Sequence, residues 1–424
     1  MWDGTATRTG DVICDDGAIL SFSGAAEDGR RPEEEVLDAS GCVVTPGLVN
    51  AHHHLLQSAF RTRPETRRVA MSAWLAAMAR AYREVGVDEE LARAAAAVGA
   101  AEGVLCGVTT VADHHLTWPG GTARGSLARA AVDGARSCGA RVVFVYGTAG
   151  DEPEVAATGA EEVIAALARR ADRLVSVALG PAGVHSDGPD TFRLLAEVAA
   201  SRNLRRRTQA GEQVDVERAL ARYGRHPVQL LEEWGWLAPD VTIAHLCGLE
   251  ASHVSLLGRH GVSATHAPGC DLFGGWGVAP VGRLLDQGVV VGLGTSGGGS
   301  NDAGHLLADA RLALQVAPLA GRPLSEEEVL HMVTSGSAAG LGRADLGVIT
   351  PGAAADLCCW DVTGVADAGV ADTLSGLLWA APGRRPRHVV VDGTVVVRDG
   401  RLTLVDEDEV ATRLRRILSE REAS

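Results

Sequence analysis

A (β/α)8 barrel carrying a small β-sandwich is the fold class this chain predicts, and three observations predict it. Between residues 46 and 349, eight short apolar strand-like runs alternate with stretches of helical periodicity. The polar residues with chemical potential sit at the C-terminal ends of those runs, where a parallel barrel gathers its chemistry at one mouth. Residues 1–45 and 350–405 read instead as short alternating strands, so one small β-sandwich domain is expected from both chain ends, with a C-terminal helix at 406–424.

The elements follow in order. Residues 43–54 run apolar and end on His52-His53-His54. At strand spacing His52 and His54 share a face, as two ligands of one ion would. Helix 88–106 has Asp88 as N-cap and an alanine-rich body. Strand 108–115 ends on Asp113-His114-His115, and helix 126–138 leads to strand 141–147. Helix 160–170, strand 174–183 and helix 190–201 come next, then strand 204–212, which ends on Gln209-Ala210-Gly211-Glu212. Its opening Arg205-Arg206-Arg207 is unusual for a barrel strand: either the strand starts later, or these side chains are solvated or paired. Helix 216–223 precedes strand 241–249, with Ala244-His245-Leu246-Cys247, and helix 251–260 precedes strand 262–270. Helix 279–287, strand 289–296 ending on Thr295-Ser296, and helix 303–316 complete the ring. Outside it, 18–22 alternates, Glu33-Glu34-Glu35 reads as an acidic turn, and Asp392-Gly393 within 388–397 signals a hairpin.

Composition narrows the function classes. A formal charge of −15 argues against nucleic acid and anionic membrane as partners. No apolar run reaches the roughly 18 residues that span a bilayer, and Met1-Trp2-Asp3-Gly4 lacks the basic stretch and apolar core of a signal peptide. The 8 cysteines are scattered without a CxxC pair and read as reduced thiols of a cytoplasmic protein. Lysine is absent, so all 39 basic residues are arginine. Schiff-base catalysis and a carboxylated-lysine bridge between two metals are thereby excluded, and any metal centre is mononuclear. With aromatic residues at only 4%, ring stacking must come from few side chains. Trp74, Trp118 and Trp276, after the first, second and seventh strands, are the candidates.

Several segments carry a resemblance. They are Thr45-Pro46-Gly47-Leu48-Val49-Asn50-Ala51-His52-His53-His54-Leu55-Leu56-Gln57-Ser58, Gly107-Val108-Thr109-Thr110-Val111-Ala112-Asp113-His114-His115, Ala244-His245-Leu246-Cys247, Gly292-Leu293-Gly294, Ser300-Asn301-Asp302 and Thr350-Pro351-Gly352-Ala353-Ala354-Ala355-Asp356-Leu357. Together they resemble the amidohydrolase superfamily, in its deaminase and chlorohydrolase branch, across nearly the whole chain. The resemblance implies hydrolytic deamination of a purine-, pterin- or triazine-like ring, and a homodimer. It also implies one Zn or Fe ion held by the first-strand His-x-His, a fifth-strand His and an eighth-strand Asp, lowering the pKa of its bound water to about 7.

Carried over by position, His52 and His54 are metal ligands, and Glu212 and His245 are the catalytic acid/base pair. Gln57, His115, Trp118 and His266 fall to substrate binding. The fifth-strand ligand position is Gln209 and the eighth-strand one is Ser296, so these two are assigned to substrate as well. Gln offers only a neutral carbonyl oxygen, and Ser is no base near neutrality without an activator. The ion is then weakly bound or absent. Three readings stay open: a C–N hydrolase with an altered metal centre, a metal-independent isomerase, cyclase or lyase using Glu212 and His245, and a non-catalytic ligand-binding relative. A relocated metal site could draw on His245, Glu212, Asp113, His114, His115, His266, Cys270 or Asp302. Arg61 and Arg63 follow the first strand, where they would meet an anionic substrate or simply solvent.

Overall fold

The computed structural model describes residues 1–23, 35–169 and 172–422. Glu33 and Glu34 of the expected acidic turn, Arg170 of the helix expected at 160–170 and residues 423–424 lie outside them.

β-branched and apolar residues bounded by glycine or proline form the strands, numbered in chain order. β1 is Asp11–Asp15, β2 Ala18–Ser23, β3 Cys42–Pro46 and β4 Leu48–His54. β5 is Val108–His115, β6 Arg141–Thr148, β7 Val175–Pro181 and β8 Arg205–Ala210. β9 is Val241–His245, β10 Ser263–His266, β11 Val290–Leu293 and β12 Ser296–Gly297. β13 is Leu357–Asp361, β14 His388–Val391, β15 Thr394–Arg398 and β16 Arg401–Leu402.

β4 to β11 pair in parallel, each with the next. The last barrel strand is broken after Leu293, and its continuation β12 pairs with β4, Ser296 opposite His53, which closes the ring. The close approach demands glycine. A Cβ on Gly294 would come within 2.7 Å of the His52 carbonyl oxygen. Helices cover the outside, as the alternating pattern predicts.

Particular elements depart from that pattern. The single run expected at 43–54 is two strands, because Gly47 packs where a Cβ would sit 2.3 Å from Thr109 Oγ1. β3 turns away there and pairs antiparallel with β13. The helix expected at 160–170 begins earlier, as Pro153–Ala168, with proline favouring its first turn. The helix Met71–Val85, which carries Trp74, lies outside the expected elements. Asp88 caps Glu89–Leu105 through the Leu91 amide at 2.9 Å, as expected.

From the chain ends come a five-stranded antiparallel sheet in the order β16-β15-β14-β13-β3 and a separate β1–β2 hairpin. Asp392 and Gly393 make the β14–β15 turn with φ of 52° and 78°, the paired left-handed geometry of a two-residue hairpin loop. A buried ion pair ties this sheet to the barrel: Arg141 on β6 donates to both oxygens of Asp356, at 3.0 and 3.3 Å. The helix Glu407–Glu422 ends the described chain. Among the described residues, no helix is long and apolar enough to cross a membrane.

The three arginines of β8 divide. Arg206 points outward onto Asp240 at 2.6 Å, and Arg205 donates to the carbonyls of Pro239 and Gly340. Arg207 is only 3% exposed and donates to the Ala51 carbonyl. Its Nη1 has no partner among the described residues, and burial lowers its pKa to about 9.

Candidate active site

Strand alternation brings the polar residues together at the C-terminal rim of the barrel. His52 and His54 leave β4 on one face, their rings 4.8 Å apart. The His52 ring also lies 5.8 Å from that of His114 on β5 and 5.2 Å from that of His245 on β9. His53, on the opposite face of β4, bonds Thr295 Oγ1 at 2.9 Å.

Burial governs the charge of this imidazole group. His52 is held well below its ordinary value, chiefly by desolvation and then by its histidine neighbours. Desolvation likewise brings His54 to about 4 and His114 to about 3. Neutral rings follow. His54 Nδ1 donates to the His114 carbonyl at 2.6 Å, His114 Nε2 donates to the Gly180 carbonyl at 3.0 Å, and His52 Nε2 is buried without a partner among the described residues.

The other side of the rim is charged. His245 donates from Nδ1 to Asp271 Oδ1 at 2.7 Å and from Nε2 to Gln209 Oε1 at 3.1 Å, with Glu212 Oε1 3.8 Å from Nε2. A ring that donates from both nitrogens is an imidazolium. Burial alone would lower its pKa, but Glu212 and Asp271 outweigh that and raise it to about 9. Desolvation also raises Glu212 above its ordinary value, against the pull of His245. Glu212 stands at the N-cap of the helix Gln213–Tyr223 without capping it, so its carboxyl faces His245 rather than its own backbone. Asp215 takes up the turn instead, accepting from the Gly211 amide at 3.0 Å.

His245 and Ser296 occupy the left-handed region, with φ of 73° and 54°. Non-glycine residues rarely do so, and those that do concentrate at functional sites. Ser296 accepts from the Ser300 hydroxyl at 3.3 Å, and the Cys270 thiol hydrogen-bonds both serines.

The residues expected to meet substrate are placed as follows. Gln57 is buried, its carbonyl accepting from the Gly299 amide at 3.1 Å, and it also bonds Tyr82. His115 donates to the Thr117 carbonyl at 3.0 Å and packs against Trp118 and Phe144. Trp118 is half-buried and donates to the Gly147 carbonyl at 2.7 Å. His266 is buried, with Nδ1 unpartnered among the described residues. Trp74 and Trp276 meet edge to face at 5.4 Å, and the Trp276 Nε1 is buried without a partner among the described residues. Asp302 is drawn aside to the Thr62 amide and Arg67. Arg61 and Arg63 pair with Glu102 and Glu65.

A divalent ion does not fit the position where the resemblance puts it. His52 and His54 are neutral and suited to ligation, but Gln209 Oε1 is engaged by His245 and the Ser296 hydroxyl by Ser300 and Cys270. The four-residue set carries no anionic donor and only two nitrogens, short of the three strong ligands that catalytic sites keep. Sequence reading passed over Asp271 and took Cys247 only as a reduced thiol. A His-x-Cys at one strand end and a Cys-Asp pair just past the next were the available signal.

Comparison with known proteins places this geometry. The chain is 32% identical to 8-oxoguanine deaminase of Pseudomonas aeruginosa over 415 residues, covering 94% of this chain and 91% of that one. It is 30% identical to isoxanthopterin deaminase from an unknown prokaryotic organism, covering 92% and 88%. Among solved structures it superposes on zinc-complexed atrazine chlorohydrolase of Arthrobacter aurescens with a TM-score of 0.89 at 31% identity, covering 97% and 96%. Residues 43–396 match the amidohydrolase family as a whole, and with the closed barrel and its histidine-lined rim this chain belongs to that family.

Proposed function

We propose that this protein is a C–N hydrolase that removes an exocyclic amino or equivalent group from a purine-, pterin- or triazine-like ring at the barrel mouth, with Glu212 as its proton-transfer group. One observation carries the reading. A buried, unspent carboxyl stands 3.8 Å from a charged imidazole, at the mouth of a barrel that superposes on atrazine chlorohydrolase, in a chain 32% identical to 8-oxoguanine deaminase.

Glu212, its carboxyl held above the ordinary pKa by burial, is the group that delivers a proton to a ring nitrogen. The ring carbon then accepts the oxygen of water, whose two protons pass to the emptied Glu212 carboxylate and to the amino group, which leaves as ammonia, and the product is a cyclic amide. The His245 cation stabilises negative charge that develops on the added oxygen. Gln209 and Ser296 present an amide and a hydroxyl to the ring substituents, and the Trp74–Trp276 pair offers its apolar walls. No step is assigned to an ion at His52 and His54. The reading extends to a cytoplasmic homodimer, in keeping with eight free cysteines.

Ammonia release from 8-oxoguanine, isoxanthopterin, methylthioadenosine and aminotriazines tests it. At least one ring should be turned over, and Glu212→Gln should lower kcat by about 10²–10⁴-fold with the thermal midpoint close to that of the parent. Turnover that survives this substitution removes Glu212 from the role.

A further inference from the structure

We propose that His245, Cys270 and Asp271, with Cys247 beside them, form a zinc-type metal site displaced from the His52–His54 side of the mouth. It deepens the proposed function, and rests on that reading only for what the ion would do.

The geometry comes first. One ligand atom from each of His245, Cys270 and Asp271 lies within 4.8 Å of the other two, and all three residues are buried. A tetrahedral ion with ordinary Zn–N, Zn–O and Zn–S bonds holds such atoms about 3.3–3.8 Å apart. The three lie within reach of one ion, with the His245–Asp271 hydrogen bond of 2.7 Å opening to admit it. The thiol of Cys247 lies against the Asp271 carboxyl and makes a fourth donor. Two neighbouring strand ends supply all four: β9 with its exit at Cys247, and the short helix Pro268–Phe273 that follows β10.

A second observation points to a ligand independently. Asp271 is 0% exposed, yet its Oδ2 has no hydrogen-bond partner among the described residues. A buried carboxyl oxygen left bare is costly, and a cation satisfies it.

The substituted family positions supply a third. Gln209 hydrogen-bonds His245, and Ser296 hydrogen-bonds Cys270. Each residue that replaces a ligand of the implied centre thus touches a ligand of the proposed one. Loss at one place and gain at the next are linked through two contacts. Thiolate and imidazole donors select zinc over hard cations. On binding, the ion displaces the proton from His245 Nδ1 and one from each coordinating thiol, and those protons leave to solvent. Four protein donors fill a tetrahedral shell, so the ion would act on the reaction through the His245 ring, whose Nε2 lies 3.8 Å from Glu212.

Cobalt(II) titration of chelator-stripped protein tests the site without substrate. One equivalent should bind with thiolate-to-cobalt charge-transfer absorption, in the parent and in His52→Ala alike. In Cys270→Ala the absorption should fall and binding weaken at least tenfold, and with Cys247→Ala added the absorption should vanish. Circular dichroism checks the fold, and Cys270→Ser repeats the comparison if the alanine variant does not fold. No binding by the folded parent, binding without the charge-transfer absorption, or binding lost in His52→Ala but kept in Cys270→Ala overturns the proposal. Ring turnover by metal-free protein would overturn this site's role and leave the proposed reaction standing. Bound cobalt without turnover of any ring would do the reverse.

Discussion

The two sides of the barrel mouth use histidine in opposite ways. On the β4–β5 side, His52, His54 and His114 crowd together without a carboxylate, and burial keeps them neutral. On the β8–β10 side, His245 stands between Asp271 and Glu212 and is held charged. Burial is nearly complete on both sides, at 1% exposure for His52 and for His245 alike. Desolvation therefore cannot explain the difference. Neighbouring carboxylates do, and relocating them relocates the electrostatic centre of the site.

The largest way to break this contrast is Asp271→Ala. It strips His245 of its 2.7 Å partner and leaves the buried imidazolium with only Glu212, 3.8 Å away, to offset its charge. A loss of about 3–5 kcal/mol is expected in chemical denaturation. Equal stability of parent and variant would show that the charged side is not built on this pair.

Next comes the double reversion Gln209→His with Ser296→Asp, which restores a nitrogen ligand and an anionic one beside His52 and His54. Metal affinity there should rise more than about 100-fold, judged from the 10–100-fold that even outer-shell changes cost. The gain should come without added thiolate charge-transfer absorption. No gain in bound metal would mean that Gln209 or Ser296 does not face the imidazole group.

A smaller effect is expected from His54→Ala, which leaves the buried His114 carbonyl without its 2.6 Å donor. About 1–3 kcal/mol should be lost, and a silent substitution would make the imidazole side passive packing.

The smallest effects are in pH, read as thermal midpoints of the metal-free protein. Folding lowers His54 from 6.5 to about 4, so its contribution is present above pH 6.5 and is lost as pH falls toward 4. Folding raises His245 from 6.5 to about 9, so its contribution is full below pH 6.5 and is lost as pH rises through 9. Each limb should move the midpoint by a few degrees. His54→Asn should flatten the acid limb and His245→Asn the alkaline one. The opposite assignment would reverse the comparison.

Much of this was legible in the sequence, and the reasons are specific. The barrel was readable because its eight strands are mostly apolar runs and the intervening helices carry a period of 3.6, patterns that need no tertiary information. The split at Gly47 was not, since only the nearness of Thr109 requires it. The helix Met71–Val85 was obscured by its unusual cap, Ala70, which offers no side-chain hydrogen bond. In the site, His52 and His54 are two residues apart and announce themselves. His245 and Asp271 are separated by 26 positions and meet only because adjacent strands bring them together. The Arg205-Arg206-Arg207 run posed a choice that only strand orientation could resolve: the outer side chain pairs with Asp240, while Arg207 enters the barrel.

The pairing of β3 with β13 has a consequence for the order in which the molecule is made. β3 leads through Gly47 directly into the strand that bears His52 and His54, and its hydrogen-bonding partner is the segment Leu357–Asp361. A ribosome adding about 5–20 residues per second emits that partner roughly 15–60 s after β3 has emerged. During that interval the root of the first barrel strand has an unpaired edge. The segment that leads into the histidine-bearing strand is thus translated early and paired late, an edge left open through most of synthesis.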